Sequence, residues 1–385
     1  MADLLTWLRL WLSSTHQTRA LLQPNPNHTK PASFRNISPD FVKVRKVSDS
    51  AIMTVRAYDP YDDDSDDGDD IRESDQIIQR IIKIHDELWK LDDFAPCPLV
   101  NERLTELVQI CSKTYDRETV DEVLTFHALQ RKIPNLREIC DIAESALESH
   151  WAWKILAETK KQQPDASQAD DIYDSDRVFE CLKTFPYYNN YVELARFELH
   201  AIMSASTTVP RKIAFVGSGP LPLTSLCVLE GLKNLGASLG GLPVNSQNGE
   251  AQPIEVYNYD RDEKAVEVSQ KLCRALGKYA EGMHIVLESA FSRAMDLRSF
   301  DVVFLAALVG FDQCEKENIL HSMARRMKPG GLIVIRSAHG LKTLLYQAVD
   351  ITSKPLLRIL EPCMEVHPYG QVVNSVIIAR RKAEE

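Results

Sequence analysis

The sequence lacks the usual marks of a metal-binding, disulfide-rich or nucleic-acid-binding protein. Its eight cysteines stand singly, with no Cys-x-x-Cys pair and no paired histidine, so their spacing gives no zinc or iron–sulfur signature and is typical of reduced thiols. Positive charge is in deficit, because 45 Lys and Arg face 55 Asp and Glu, for a formal net charge of −10. We therefore expect no nucleic acid and no anionic membrane as a main partner, and no resident metal.

The pattern of a leader or membrane segment is also missing. The stretch MADLLTWLRLWLSS is apolar, but it carries Asp3 and Arg9, lacks the basic start of a signal peptide and is too short to span a bilayer. Further on, YDPYDDDSDDGDD holds eight aspartates between Asp59 and Asp70 without the closing Glu of a calcium-binding loop. We expect a cytoplasmic protein in which residues 1–75 are a disordered tail with a solvated acidic tract.

From Gln76 the sequence changes to a helical periodicity. Apolar residues recur at helical spacing in four segments: 77–91, 101–111, 135–158 and 192–203. No convincing strand precedes residue 212. The sequence therefore predicts an all-helical domain over 76–205.

Short apolar runs typical of strands begin only after this block. They are KIAFVG (212–217), IEVYNYD (254–260), HIVLES (284–289), DVVFLAAL (301–308) and LIVIRSA (332–338). Helical stretches alternate with them at 221–235, 262–277 and 313–327. The end of the chain adds LLRILEPCMEVHP and VVNSVIIARR, which we expect to form a closing antiparallel pair.

Alternation of strands and helices at this spacing implies an α/β fold with a parallel, doubly wound sheet and helices on both faces. This is the layout of the Rossmann-like fold of S-adenosylmethionine (SAM)-dependent methyltransferases. The predicted architecture is thus a SAM-binding Rossmann-like domain over 206–385, with the preceding helical domain as a lid on the carboxyl edge of its sheet.

The turn after the first predicted strand, FVGSGPLPL, contains the first candidate ligand site. Gly217 and Gly219 allow a tight turn and a close approach of the backbone to a ligand at a helix N-terminus, and Pro220 stiffens that turn. Leu221 stands where a dinucleotide motif has its third glycine, so the loop suits SAM better than a pyrophosphate. A strand–helix turn without any ligand is the alternative.

Two further strand ends carry candidate residues. Asp260, with Asp262 second, follows the second strand, where an acid typically holds the hydroxyls of a ribose. An exposed acid at a strand end would give the same pattern. The fourth strand ends in LAALVG, and its Ala306, Ala307 and Leu308 stand where a ligand would cross the edge of the sheet. A buried strand without a ligand would have the same composition.

The remaining candidates lie after the fifth strand and in the helical block. In RSAHG, Arg336 could pair with a substrate carboxylate and His339 lies just beyond it, although a loop histidine without a role fits equally well. Glu148, in ALESHW, is either a buried base or part of a polar helix face. Tyr191 ends the aromatic segment PYYNNY, whose tyrosines could also be core residues.

Taken together, these motifs resemble the nicotianamine synthase family over about 95–383. The motifs that carry the resemblance are FVGSGPLPLTS, NYDRD, FDVVFLAALVG, IRSAHG, VVNSVIIAR, LESH and PYYNNYVELARFEL. The resemblance implies an enzyme for which SAM is a substrate. An amine attacks the methylene carbon next to the sulfur, methylthioadenosine leaves, and three SAM-derived units build the metal chelator nicotianamine, a function in metal homeostasis.

The resemblance also implies roles for individual residues. Glu148 would deprotonate or bind the attacking ammonium group, and Tyr191 would orient it. We expect the carboxylate of Glu148 to lie against Trp151 and Trp153, where burial would raise its pKa. After the third strand the family's Thr pair and Asp are replaced by LESA, so Glu288 is the residue expected to contact adenine.

Two other functions remain open from the sequence. A conventional SAM-dependent methyltransferase would share the fold but would release S-adenosylhomocysteine. A non-catalytic scaffold with the SAM fold would more readily have lost its glycines or Asp260, and both are present. No cofactor is expected beyond SAM as substrate, and the sequence specifies no oligomeric state.

Overall fold

The computed structural model describes residues 72–161, 171–238, 253–292, 294–310 and 312–383. The predicted tail over 1–75, with its acidic tract, therefore lies almost entirely outside the described residues. The described part begins with seven helices: α1 (Glu73–Leu88), α2 (Pro98–Ser112), α3 (Arg117–Thr125), α4 (His127–Gln130), α5 (Ile133–Thr159), α6 (Ser175–Leu182) and α7 (Tyr188–Ala205).

All four helices expected from the periodicity are present, as α1, α2, α5 and α7. The sequence interpretation missed α3, α4 and α6, which are short, so few turns contribute to a periodic signal. α2 begins at Pro98, earlier than expected, because proline suits the first turn of a helix, where its missing N–H needs no partner.

The seven strands come after these helices. They are β1 (Lys212–Val216), β2 (Glu255–Asp260), β3 (Met283–Leu287), β4 (Val302–Leu305), β5 (Leu332–Ser337), β6 (Leu360–Val366) and β7 (Ser375–Arg381). Four helices lie between them: α8 (Leu223–Ser238), α9 (Glu263–Leu276), α10 (Gln313–Arg326) and α11 (Lys354–Leu357). Each predicted strand and helix of this half is present, with ends shifted by a few residues.

The strands form one sheet in the order β3-β2-β1-β4-β5-β7-β6. β1 to β5 pair in parallel, whereas β7 is antiparallel to both β5 and β6, so the predicted closing pair is confirmed. The chain moves outward from β1 in both directions. Ligands of such sheets bind where this reversal leaves a crevice at the carboxyl ends of the strands.

Apolar side chains cover both faces of the sheet. On one face, residues of α7 pack against β1, β4, β5 and β7, and Phe215 stacks on Phe304 with ring centroids 4.0 Å apart. On the other face, residues of α10 pack on β4 and β5. α5 and α6 share a third cluster with Leu221 and with α9. The helical and sheet parts therefore share buried clusters, and their division at 205/206 stays a prediction.

The fourth strand is shorter than the sequence suggested. β4 ends at Leu305, so Ala306, Ala307 and Leu308 lie in the turn beyond it rather than within the sheet. The N–H of Ala306 still donates to the carbonyl of Val216 on β1 at 3.1 Å, and the chain leaves the sheet at Ala307 and Leu308, at the edge where a ligand would bind. Among the residues described, no helix is both long enough and apolar enough to cross a membrane.

Candidate active site

A cavity of about 560 Å³ lies at the carboxyl ends of β1, β2 and β4, a size usual for small-molecule sites. Every site residue predicted from the sequence lines it except His339: Glu148, Tyr191, Gly217, Gly219, Pro220, Asp260, Asp262, Glu288, Ala306, Ala307, Leu308 and Arg336. The parallel sheet explains this convergence, because its strand ends meet at one edge while α5 and α7 supply Glu148 and Tyr191 from the helical side.

The glycine turn is shaped by close neighbours as well as by its own backbone. Gly217 and Gly219 have φ of +83° and +70°, in the left-handed region that favours glycine. A Cβ at Gly217 would overlap the side chain of Val309. A Cβ at Gly219 would lie 2.7 Å from Oε2 of Glu148. Because residue 219 is a glycine, the carboxylate of Glu148 has room to contact the turn.

Asp260 connects the end of β2 to this turn. Its Oδ2 accepts a hydrogen bond of 2.8 Å from the N–H of Gly219, and its Oδ1 accepts one of 2.9 Å from the N–H of Asp262. Asp262 in turn caps α9 by accepting from the N–H of Lys264 at 2.9 Å. The backbone N–H of Glu288 donates to the carbonyl of Asp260 at 2.8 Å. The acids thus hold the backbone of the site in addition to lining it.

A buried lysine, which the sequence interpretation missed, supports the turn after β4. Nζ of Lys316 donates to the carbonyl of Ala307 at 2.7 Å and to that of Val309 at 3.0 Å. The residue is fully buried on α10, and this burial lowers its pKa to about 8. Its position on the apolar face of α10, in line with Ile319 and Met323, was the signal that could have revealed it.

Glu148 and Tyr191 form the polar centre of the cavity. The hydroxyl of Tyr191 donates a hydrogen bond of 2.6 Å to Oε1 of Glu148. Burial, reinforced by the neighbouring charge of Glu144, raises the pKa of Glu148 to about 8, while the bond from Tyr191 acts in the opposite direction. Burial also raises the pKa of Tyr191 well above its usual range. The pair therefore consists of a carboxyl group able to take up a proton near neutral pH and a phenol that stays neutral.

A second carboxylate, Glu144, lines the same cavity one helical turn before Glu148. Its Oε2 accepts a hydrogen bond of 2.8 Å from the hydroxyl of Tyr346, and its Oε1 lies 3.5 Å from the hydroxyl of Tyr191. Burial raises the pKa of Glu144. The i, i+4 spacing from Glu148 was the available signal, because such residues share one helix face.

Arg336 lines the cavity but is already paired with a protein carboxylate. Its Nε donates to Oε1 of Glu198 at 2.7 Å and its Nη2 to Oε2 at 3.2 Å. Glu198, on α7, is fully buried and was not singled out in the sequence. His339 lies apart from these residues: its ring stacks on that of His367 at 4.1 Å, and it does not line the cavity.

The expectation that Glu148 lies against Trp151 and Trp153 is wrong for Trp153. Trp151 is buried and packs edge-on against Phe185. Trp153 is 44% exposed, and Nζ of Lys271 lies 4.9 Å from its ring centroid. The reason is the helical period, because residues two positions apart on α5 point in widely different directions. Glu148 is instead covered from α7 by Tyr191 and from the glycine turn by Gly219.

These features define a class of protein. The sheet order and a cavity at the glycine turn are those of the SAM-methyltransferase-like Rossmann fold. No group of three His, Cys, Asp or Glu side chains suited to a metal ion occurs among the residues that the structure describes. The site brings two carboxyl groups, those of Glu144 and Glu148, into the same cavity as the glycine turn.

Sequence comparison identifies the family. Residues 70–385 match the family model described as nicotianamine synthase protein, and the chain belongs to that family. It is 31% identical over 308 residues to a nicotianamine synthase of Solanum lycopersicum, covering 80% of this chain and 84% of the relative. It is 32% identical over 310 residues to nicotianamine synthase 3 of Oryza sativa subsp. japonica, covering 80% of this chain and 78% of the relative.

Solved structures share the fold. The crystal structure of MtNAS in complex with MTA and tNA superimposes with a TM-score of 0.58 and 20% identity, covering 80% of this chain and 98% of that one. A mutant of MtNAS in complex with S-adenosylmethionine gives a TM-score of 0.56, also at 20% identity and with the same coverage. These matches confirm the expected fold, a Rossmann-like sheet preceded by helices.

Proposed function

We propose that this chain is a nicotianamine synthase, which transfers 3-amino-3-carboxypropyl groups from SAM onto an amine, releases methylthioadenosine and builds nicotianamine. The observation that carries the proposal is the hydrogen bond from Tyr191 to the buried Glu148, whose carboxylate meets the glycine turn of a SAM-type fold at Gly219. A conventional methyl transfer would place the reactive methyl group, rather than the aminocarboxypropyl arm, against an acceptor.

The chemistry requires few protein groups, because a sulfonium centre already carries a good leaving group. Before it can attack, the acceptor ammonium must lose a proton, and the carboxylate of Glu148 takes it. The raised pKa of Glu148, about 8, matches this carboxylate to a proton that must be taken up and released near neutral pH. Tyr191 fixes the orientation of Glu148 by its 2.6 Å hydrogen bond. The rest of the catalysis is positioning of the amine against the carbon to be attacked.

The remaining cavity residues hold SAM. In our proposal Gly217, Gly219 and Pro220 bring backbone close to the ligand, while Asp260 and Asp262 receive the ribose hydroxyls. Glu288 contacts adenine from the end of β3. The turn with Ala306, Ala307 and Leu308 lines the same cavity, and Arg336, held by Glu198, would pair with a substrate carboxylate.

The same proposal covers the setting of the activity. The product is a metal chelator, so the enzyme serves metal homeostasis, and SAM is needed as substrate with no further cofactor. With a formal net charge of −10, we propose small-molecule partners rather than nucleic acid or membrane, and a cytoplasmic location.

The decisive experiment is incubation of the purified protein with SAM alone, followed by mass spectrometry of the nucleoside product. Methylthioadenosine together with nicotianamine is expected. S-adenosylhomocysteine instead would identify a methyltransferase, and unchanged SAM would identify a scaffold. The Glu148→Gln variant should still bind SAM in calorimetry while its turnover falls by roughly 10²-fold or more, as expected for the loss of a general base.

A further inference from the structure

The carboxyl group of Glu148 is connected to a second carboxyl group by a tyrosine. The hydroxyl of Tyr191 lies 2.6 Å from Oε1 of Glu148 and 3.5 Å from Oε1 of Glu144. Both carboxyl groups project from α5 into the cavity. The proposed role of Glu148 uses only one of them, so Glu144 is a half-buried titratable group that still requires an explanation.

Glu144 is held in place by a separate part of the chain. The hydroxyl of Tyr346 donates to its Oε2 at 2.8 Å, which leaves Oε1 directed toward Tyr191. The segment that carries Tyr346 is itself fixed to α5, because Nε of Arg137 donates to the carbonyl of Thr343 at 3.0 Å. A half-buried carboxylate oriented from two segments of the chain in this way is arranged for a defined partner.

The proposed reaction explains why Glu144 would have such a partner. In each coupling, one N–H proton of the acceptor ammonium moves to Glu148 and the nitrogen lone pair forms the new N–C bond. The C–S bond breaks, and its electron pair stays on the sulfur of methylthioadenosine. One proton is therefore left on a buried carboxyl group after every coupling. It must leave before Glu148 can accept the next one.

We propose that Glu144 receives this proton from Glu148 through the hydroxyl of Tyr191, with Tyr346 as the positioning residue that holds Glu144 in line. Protonated Glu148 donates to the oxygen of Tyr191 as Tyr191 passes its own proton to Glu144, so the phenol ends unchanged. Glu144 then releases the proton to water in the cavity. Glu144 acts through Glu148 rather than on the substrate, and the inference rests on the proposed function.

Several charged or titratable groups surround Glu144 and bear on its proton affinity. They come from its own helix, from α7, from β5 and from the segment after β5: Cys140, Asp141, Glu148, Tyr187, Tyr191, Arg336 and Tyr346. Asp141 also lines the cavity, and burial raises its pKa to about 6.

The test separates the first coupling from later ones. Rapid-quench measurement of methylthioadenosine in the Glu144→Gln variant should show a first turnover no slower than that of wild type, because losing the charge of Glu144 lowers the pKa of Glu148 and leaves more of it ionised. The steady state should then be slowed by roughly 10²-fold, the lower end of the range for a lost proton-transfer group. Added imidazole, a small proton carrier, should restore the steady state. Tyr346→Phe, which keeps the ring, should show a weaker defect of the same kind.

Glu138→Gln is the matched control, because Glu138 is exposed on the same helix and its variant loses the same charge. It should behave as wild type. The relay is overturned if Glu144→Gln slows the first turnover as much as the later ones. It is also overturned if imidazole fails to restore the steady-state rate of both Glu144→Gln and Tyr346→Phe. Absence of methylthioadenosine from the wild-type protein would instead refute the proposed function. Thermal melting shows whether Glu144→Gln has merely unfolded. If it has, the steady-state rate of Tyr346→Phe is the test of the relay.

Discussion

The guanidinium of Arg336 and the carboxylate of Glu198 form an ion pair inside the protein, with Nε 2.7 Å from Oε1 and Nη2 3.2 Å from Oε2. The two side chains are 13% and 0% exposed. Water can reach little of either group, so each depends on the other for compensation of its charge. The pair joins α7 to β5 and thereby fixes the cation that lines the cavity.

Glu198→Gln should consequently destabilise the fold. Removing one partner leaves a buried, uncompensated Arg336, and such changes typically cost about 3–5 kcal/mol. Urea denaturation measures the loss. Glu267→Gln, which breaks an exposed i, i+4 pair with Lys271, should change the free energy of unfolding by less than about 0.5 kcal/mol. Equal effects of the two substitutions would show that the internal pair has no special importance.

Glu148 should make stability depend on pH. Its ordinary pKa of 4.5 is raised to about 8 by burial, so between these values the folded state binds a proton that the unfolded state has released. The contribution of Glu148 is thus fully present below pH 4.5 and is lost as the pH rises through about 8. Glu148→Gln, which mimics the neutral group, should match wild type near pH 5 and be more stable at pH 8.5. Unfolding curves that stay parallel across this range would contradict the shift.

Activity should follow the opposite course. The proposed base must be ionised to accept a proton, so turnover should be half-maximal at about pH 8, where half of Glu148 is ionised, and should still be rising above that pH. Initial rates of methylthioadenosine release between pH 6 and 9, in buffers of constant ionic strength, give the profile. A rate already at its maximum at pH 6 would show that Glu148 is ionised there.

Gly219→Ala should abolish the contact between the glycine turn and α5. The new Cβ would lie 2.7 Å from Oε2 of Glu148, on a backbone with φ of +70°. The backbone strain alone costs on the order of 1 kcal/mol. Gly370→Ala is the matched control, because Gly370 has φ of +78° but nothing within 4 Å of an added Cβ. Both variants should lose similar stability, and only Gly219→Ala should lose most of its methylthioadenosine release. Comparable activity in the two would show that the contact is unimportant.

Lys316→Met should weaken SAM binding. Methionine fills the same space but leaves the carbonyls of Ala307 and Val309 without their donor, so the turn that lines the cavity loses its support. Two lost hydrogen bonds from a charged group predict a rise in KM for SAM of roughly tenfold or more, with kcat less affected. Lys271→Met, at an exposed position, should leave both constants unchanged. An unaltered KM for SAM in Lys316→Met would show that Lys316 does not support the turn after β4.

The glycine turn and the strand-end residues could be predicted from the sequence because they follow a local rule. A glycine pair after a strand, an acid at the end of the next strand and small residues after β4 each occur next to a recognisable apolar run, and parallel strands bring such ends to one edge. Their position in the cavity follows from that rule alone. His339 also follows a strand, yet the chain after β5 turns it toward His367, which no local pattern specifies.

Contacts between distant segments were beyond such reasoning. The ion pair between Glu198 and Arg336 joins two segments far apart in the chain, and the burial of Glu198 depends on what packs against α7. Tyr346 reaches Glu144 only because the segment after β5 folds back against α5.

The sequence by itself determined the order of the long helices and of the strands, the parallel sheet with its antiparallel closing pair, and the motifs of the nicotianamine synthase family, because these depend on periodicity and on local turn chemistry. Only the tertiary structure decided that the buried Glu148 meets Tyr191, Glu144 and the glycine turn in one cluster. The raised pKa of Glu148 arises from that burial and from a neighbouring charge, and both are properties of packed segments rather than of any single stretch of chain.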